Sequence, residues 1–487
     1  MRTFLRFSVL CVLIVALGVV ADAQWRCLYA TWDEETNGTG HQVLGVGVIQ
    51  ENMFIALVSV RGTRSFLIPY VNADSMSGRK YYYGYGTALT AGIYEKWTDG
   101  GFDEVTAKDI FKIKAMPDSL IYVASNDVDH NVLVFKYTAD TITVVDPFPR
   151  QQTGTNGIFG IDVDNNGYVY VCNDTTTGQT ADLKIYSPIN QWTPGGHQDA
   201  PLTTINLPDG VYKGIAVTPN GNAIFICDYA NYRVIKYVGT PATGYTLAPG
   251  FSFAMGAQDT ITGTPPKRTG PIGLAYLPSK NIVAVACDSL FKPSGGNNYS
   301  YGRIYLLNGN SGAKISTDTS MNMIDQAAWN FALTASYADR GVGDSPGNCS
   351  GYASTYDVKF DENGYLYSQS QYGWTVEKWT YDGTLPSFTT GVEQTTTDLP
   401  SGYTLSQNYP NPFNPTTTME FSMPQSGFAS LKVYDLLGRE IATLLNEEKP
   451  AGSFRATFDA SHLTSGTYYY VLKTGSFTAT RKMVLVK

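Results

Sequence analysis

Apolar residues in this chain fall in short runs broken by Gly, Asn, Pro and Asp, and helix-period stretches are nearly absent between Gln24 and Thr390. Runs of this kind predict strands joined by tight turns. They recur as one unit: strand, polar turn, strand, polar loop, strand. The clearest copy is Gly214-Ile-Ala-Val-Thr-Pro-Asn-Gly221, then Ala223–Asp228, then Arg233–Tyr237. Others run Gly160–Gly167, Tyr168–Cys172 and Leu183–Tyr186; Gly273–Tyr276, Ile282–Cys287 and Arg303–Leu306; and Asp357–Phe360, Tyr365–Tyr367 and Val376–Trp379. Two earlier copies run Ile110–Lys114, Leu120–Ala124 and Val132–Phe135, and, more degenerate, Val43–Ile49, Met53–Val58 and Phe66–Ile68.

Six such copies, each roughly 40–60 residues long, predict a radial array, because one small sheet cannot bury both faces alone and closing the ring removes its end edges. Trp25–Trp32 is a strand-like run without a local partner, and the last unit ends near Trp379. The N-terminal run is therefore expected to complete the last sheet, which would bring Cys27 towards Cys349 as a disulfide. Phe291–Tyr301 is a long Gly- and Asn-rich loop, and Gly312–Tyr352 is an insert carrying Trp329, Phe331, Tyr337 and Arg340. An insert of that length inside a compact array is expected to be functional or lid-like. Residues 391–402, rich in Thr, read as a linker. Beyond them, 403–487 shows period-two runs split by Gly and Pro, which predict a small antiparallel sandwich.

That tail opens with Asn408-Tyr-Pro-Asn-Pro-Phe-Asn-Pro-Thr416, a lead-in too rich in proline for a helix or central strand. It continues through Val433-Tyr-Asp-Leu-Leu-Gly-Arg-Glu440 and Ser465–Lys473 to a basic end, Lys482–Lys487. In these motifs and their order it resembles the type A C-terminal sorting domain of the type IX (Por) secretion system. The resemblance assigns the sorting motif to Asn408, Pro410, Asn411, Pro412, Phe413, Asn414, Pro415, Gly438, Arg439, Lys482 and Lys487. It implies an Ig-like sandwich, export across the outer membrane with the secretion machinery as partner, removal of the tail near the linker, and a source among the Bacteroidetes and their relatives. The repeated units resemble NHL-type blades. The fold class expected is thus all-β: signal peptide 1–23, a six-bladed β-propeller over 24–390, the linker, and the sorting domain over 403–487.

Composition agrees with export. Arg2 and Arg6 precede an apolar stretch, Val9–Val20, and Ala21-Asp-Ala23 is a small-x-small cleavage pattern, so the N-terminus reads as a removable signal. No second long apolar run follows, so no transmembrane segment is expected in the mature chain. The formal net charge is −8, or −9 without residues 1–23; the tail from Tyr403 holds eight Lys/Arg and six Asp/Glu, leaving about −11 on the propeller and linker. An acidic body repels nucleic acid phosphates. The expected location is outside the cell, either free or on the outer-membrane surface.

Candidate chemistry is sparse. Asp162-Val-Asp164-Asn-Asn166-Gly167 starts like a calcium loop, but Asn173 stands where an acidic ligand is needed, so a hairpin turn is expected. Cys172, Cys227 and Cys287 appear at matched positions without histidines, which suggests buried thiols. No cofactor and no metal ligands are predicted, although a metal at the ring's axis stays open. There is no G-x-S-x-G elbow, phosphate loop or H-E-x-x-H. The first function class is a binding module for extracellular glycan or protein; the second is a hydrolase, lactonase or lyase with a carboxylate or metal centre on the axis. In NHL-like units the loops entering first strands and those joining second to third strands share one face. That face is expected to carry the ligand through Lys108, Phe159, Tyr212, Lys213, Asp228, Tyr229 and Tyr356, with Asp228–Arg233 also readable as a loop-closing pair.

Overall fold

A strand buried on both faces needs a sheet on each side, and the second strand of each repeat is of that kind. Ala223–Asp228 is buried at every position, as is Ile282–Cys287. Such runs do not alternate, because both of their faces meet other sheets.

The computed structural model describes residues 24–30, 41–60, 64–73, 93–96, 102–105, 112–124, 132–138, 141–145, 150–151, 158–173, 181–192, 200–248, 250–255, 260–261, 267–268, 270–291, 301–325, 355–370, 375–388, 392–396, 400–460 and 463–487. Among them, six sheets of three or more strands precede the tail. Blade 1 is His41–Gln50, Met53–Val60 and Arg64–Val71. Blade 2 is Lys112–Ala115, Leu120–Ala124, Val132–Thr138 and Thr141–Val144. Blade 3 is Ile158–Val163, Val169–Asn173, Asp182–Tyr186 and Thr203–Asn206. Blade 4 is Tyr212–Val217, Ala223–Asp228, Arg233–Thr240 and Gly244–Leu247. Blade 5 is Pro271–Leu277, Ile282–Phe291, Tyr301–Asn308 and Met323–Asp325. Blade 6 is Val358–Phe360, Leu366–Ser370, Thr375–Tyr381 and, outermost, Trp25–Ala30. The first strands of these blades contact one another in a closed cycle, blade 6 meeting blade 1. The chain folds as a β-propeller.

The N-terminal strand takes the outer place expected for it, pairing Trp25 with Tyr381, Cys27 with Trp379 and Ala30 with Glu377. Cys27 is disulfide-bonded; Cys349, the signal segment and the insert aromatics lie outside the described residues. The insert expected from Gly312 begins by completing blade 5. Asp318 caps a short helix, Thr319–Asn322, which leads into the fourth strand.

The D-x-N-G sequences make hairpins between first and second strands. Asp164 Oδ1 accepts the N–H groups of Asn166 (2.9 Å) and Tyr168 (3.0 Å). Asp361 does the same for Asn363 and Tyr365. Gly167 (φ 85°) and Gly364 (φ 87°) supply the left-handed step. On the second strand, Tyr170 and Tyr367 donate to the other oxygen of their aspartate, each at 3.1 Å. These turns also latch neighbouring blades. The Tyr367 hydroxyl accepts Asn52 N–H of blade 1 at 2.9 Å, and Lys378 Nζ reaches Glu51 Oε1 and Asn52 Oδ1, both at 2.8 Å.

One matched position is corrected. Cys172 pairs with Gly160 and Cys227 with Gly214, but Gly273 pairs with Ala286, and Cys287 lies one residue further along. Neighbouring residues on a strand face opposite ways. Cys287 therefore turns back to Met255, 3.8 Å away, instead of forward. All three are buried thiols outside any disulfide.

The tail is a sandwich of two four-stranded sheets. Its core includes Phe413, Phe421, Phe454, Leu431, Tyr470 and Met483. One sheet begins inside the span read as a linker: Val392–Thr396 pairs with Gly452–Asp459, Val392 opposite Ala456 and Glu393 opposite Arg455. The lead-in clamps the last strand. Asn408 is buried, donating to Thr417 Oγ1 at 2.9 Å, and Phe413 exchanges backbone hydrogen bonds with Val484 and Val486, both 3.0 Å.

A fragment comprising residues 403–487 should melt about 5–10 °C below one comprising 392–487, the shift for a loss of about 1–2 kcal/mol in a domain of this size. Calorimetry of the two fragments checks this, and equal midpoints would show that the added strand contributes nothing. At the blade 6–blade 1 latch, Lys378→Met should cost about 1–3 kcal/mol by removing the charge-assisted hydrogen bonds to half-buried Glu51 and Asn52. The hydrogen bond from Lys378 holds the Glu51 carboxyl below its ordinary value of 4.5. A depressed carboxyl stabilises the fold above that value and loses the contribution as pH falls through its folded value. The gap between wild-type and variant urea midpoints should therefore narrow below pH 4.5; a gap independent of pH would exclude the coupling.

Candidate functional site at the propeller axis

The first strands of the blades carry a common small residue near their start. At one register step they present Gly45, Lys112, Gly160, Gly214, Gly273 and Asp357. Glycine here sets how closely neighbouring strands approach. A Cβ on Gly214 would stand 2.4 Å from Ile272 O, and one on Gly273 2.8 Å from Tyr356 O. Two blades break the rule, with opposite charges. Lys112 of blade 2 reaches blade 6, where its Nζ donates to Tyr356 O and lies 3.2 Å from Asp357 Oδ1. Blade 1, between them, has only Gly45 at this step.

Two residues further on, the strands present Gly47, Lys114, Asp162, Ala216, Ala275 and Lys359. Lys114 Nζ lies 2.7 Å from Asp162 Oδ1, and Lys359 Nζ 3.1 Å from Asp357 Oδ1. Both aspartates also tie blades together through the backbone. Asp162 Oδ2 accepts Val217 N–H of blade 4 at 2.7 Å, and Asp357 Oδ2 accepts Val46 N–H of blade 1 at 3.4 Å. Burial pulls the Lys112 ammonium below its ordinary range, and the charge of Asp357 opposes the shift. Carboxylates do converge on the axis, then, and each is matched by an ammonium.

The expected ligand residues are distributed unevenly. Lys108 lies outside the described residues, and Phe159 is described only as part of its strand. Tyr212 and Asp228 are both fully buried. Tyr212 donates to Pro208 O at 2.7 Å. Asp228 accepts from Arg233 Nε (2.8 Å) and from Asn231, so it closes its loop. Lys213 and Tyr229 come together, with Nζ 4.2 Å from the ring centroid, and both are half-buried. Tyr356 contributes its carbonyl to Lys112. Lys112, Lys114 and Lys359 were missed as ligand candidates; the signal was available, since Lys112 and Asp357 replace the repeat's glycine.

Asp164, the other half of the calcium-like motif, is spent on its own turn, and burial raises its carboxyl above the ordinary range. Among the described residues, no three His, Cys, Asp or Glu side chains stand together as a metal cluster.

In the tail, Gly438 (φ 77°) and the Asp435–Arg439 pair (2.6 Å) shape a hairpin tip that exposes Leu436 and Leu437. Tyr409 is 81% exposed. Pro410 and Pro415 accept hydrogen bonds through their carbonyls, and Asn411 Oδ1 accepts Val484 N–H at 2.9 Å. Pro412, Asn414, Lys482 and Lys487 are exposed.

Residues 407–487 match the secretion system C-terminal sorting domain of the Por type. This tail implies export by the type IX system, to the cell surface or beyond, and interaction with that machinery. No curated protein matches the chain. Among solved structures, it is similar to a protein of unknown function from Bacteroides thetaiotaomicron, at 10% identity and TM-score 0.42, covering 74% of this chain and 76% of that one. It is also similar to the β-propeller domain of Cps50 (Swd1) from Myceliophteria thermophila, at 9% identity and TM-score 0.37, covering 70% and 84%. A third is the calcium-binding protein regucalcin from Agrobacterium tumefaciens, at 13% identity and TM-score 0.36, covering 74% and 96%. At these identities the likeness is one of fold alone. No helix among the described residues is long and apolar enough to cross a membrane.

Removing one partner of a buried ion pair strands the other charge and costs about 3–5 kcal/mol. Asp357→Asn should therefore destabilise the propeller by about that much, and Lys112→Met by less, since Lys359 still neutralises Asp357. Chemical denaturation of both variants decides it; a Lys112→Met loss as large as that of Asp357→Asn would mean that Lys359 does not neutralise Asp357.

Proposed function

We propose that this protein is an exported β-propeller that works outside the cell as a binding module for extracellular glycan or protein. The observation that carries the reading is the joining of a sorting domain to a ring whose axis holds fixed, paired charges. On the face where first strands begin, Lys213 is stacked on Tyr229 beside that axis. Stacked tyrosine and lysine side chains offer a flat apolar surface with polar tips, which suits sugar rings and protein surfaces. The ring holds these groups rigidly, so little ordering entropy is lost on binding. Glycan is favoured over a charged macromolecule because the acidic body repels polyanions while the axis is locally basic.

Two measurements test this. Fractionation should leave a chain lacking Tyr403–Lys487 in the periplasm, and surface recovery of that chain would overturn the export route. A polysaccharide panel, read for both binding and cleavage, should show binding that falls at least about tenfold when Lys213 and Tyr229 are both changed to Ala. Changing Asn166 and Asn363 on the opposite turns should leave binding intact. Loss from the second pair alone would reject the placement, and cleavage products would move the protein into the enzyme class.

A further inference from the structure

We propose that the propeller axis binds a single carboxylate on its ligand, so that the glycan recognised is one bearing an isolated uronic acid. This rests on the binding-module reading and names its ligand class. Three ammonium groups and two carboxylates meet at the axis: Lys112, Lys114 and Lys359 against Asp162 and Asp357. Among the described residues, one positive charge there is left without a counter-charge. The hydrogen bonds of these lysines leave donors over as well. Each ammonium carries three N–H groups, and Lys114 and Lys359 each meet one carboxylate oxygen.

Access is graded. The Asp357 side chain is 1% exposed and that of Lys112 5%, whereas Lys359 is 13% and Lys114 26% exposed. The sealed pair is the structural one; the ammonium groups that solvent reaches each keep two of their three N–H groups to spare. At their register step Gly47, Ala216 and Ala275 offer nothing larger than a methyl group, so the other blades present no competing polar side chain there. Gln369, on the second strand of blade 6, adds a fully buried Oε1 without a hydrogen-bond partner among the described residues, while its Nε2 donates to Leu44 O of blade 1. A buried acceptor of that kind is matched by a hydroxyl or a water.

The size of the charge limits the ligand. The span outside the axis is strongly acidic, about −11 over the propeller and linker. A polyuronate would meet that field along its whole length. One local positive charge in a low-dielectric channel suits one carboxylate, held by charge-assisted hydrogen bonds.

The test uses the full mature protein and two probes: an oligosaccharide ending in glucuronic acid, and its glucose-terminated counterpart. Calorimetric titration should show the acidic probe binding about tenfold or more tighter, with a preference that shrinks as salt is raised. Free glucuronate should compete, and glucose should not. Lys114→Gln and Lys359→Gln, on side chains that solvent reaches, should erase the preference while neutral binding survives. Lys112→Gln serves as a structural control, since it should lower the melting point more than either. Equal binding of the two probes by the wild type would overturn the inference and leave the glycan-binding reading standing. A preference unchanged in Lys114→Gln and Lys359→Gln would overturn it too. Absence of binding to both probes, with capture of a protein partner instead, would overturn the glycan reading and this inference with it.

Discussion

Trp25–Ala30 hydrogen-bonds along Thr375–Tyr381, and this pairing joins the two ends of the propeller through one sheet. Every other feature of the ring depends on it, because each blade is apolar on both faces and needs both neighbours. The cluster shared by blades 6 and 1 shows what closure covers: Tyr29, Val43, Val46, Phe54, Tyr70, Tyr367 and Val376 are all buried there. Burying one such side chain contributes about 1.5–3 kcal/mol, so an open ring would forfeit an amount comparable to the whole marginal stability of a domain. The latch of Lys378 on Glu51 and Asn52 fixes the same junction at the turn face, where sheet hydrogen bonding cannot reach.

Closure forces the innermost strands together, and that crowding determines what the axis can hold. Glycine is required where a Cβ would strike the next strand, as at Gly214 and Gly273. Where a side chain is admitted, it must run along the channel and be neutralised there. Lys112 and Asp357 satisfy this as a pair, and Asp162 and Asp357 double as acceptors for the backbone of the next blade. The same residues thus stitch blades and create the electrostatic character of the channel. Loss of one partner would disturb both.

The sorting tail obeys a different logic. Its two sheets pack on a single core, and its proline-rich lead-in folds back so that Asn408 and Phe413 fasten the last strand. The side chains of Tyr409, Leu436 and Leu437 stand outside that core, exposed. The body and the tail also differ in the sign of their net charge.

Much of this was written locally. Repeated strand–turn–strand units, Asn-Gly hairpins and a tail of four ordered motifs are short-range patterns, so the β-propeller, the sandwich and the export signal could be read from the chain itself. The unpartnered run at Trp25 even pointed to its place in blade 6. The axis could not be read so directly. Asp162 and Asp164 stand two residues apart in one motif, yet Asp164 is consumed by its own turn while Asp162 reaches Lys114 and Val217 in the blades on either side. Cys287 shares its sequence context with Cys227 and faces the other way, because one residue of register reverses a side chain. The strand at Val392 looks like linker until Gly452–Asp459 supplies a partner. Sequence determined which segments become strands and turns, since those depend on neighbours along the chain. Only the tertiary structure decided which charges meet, because the ring brings together first strands that are separated by whole blades in sequence.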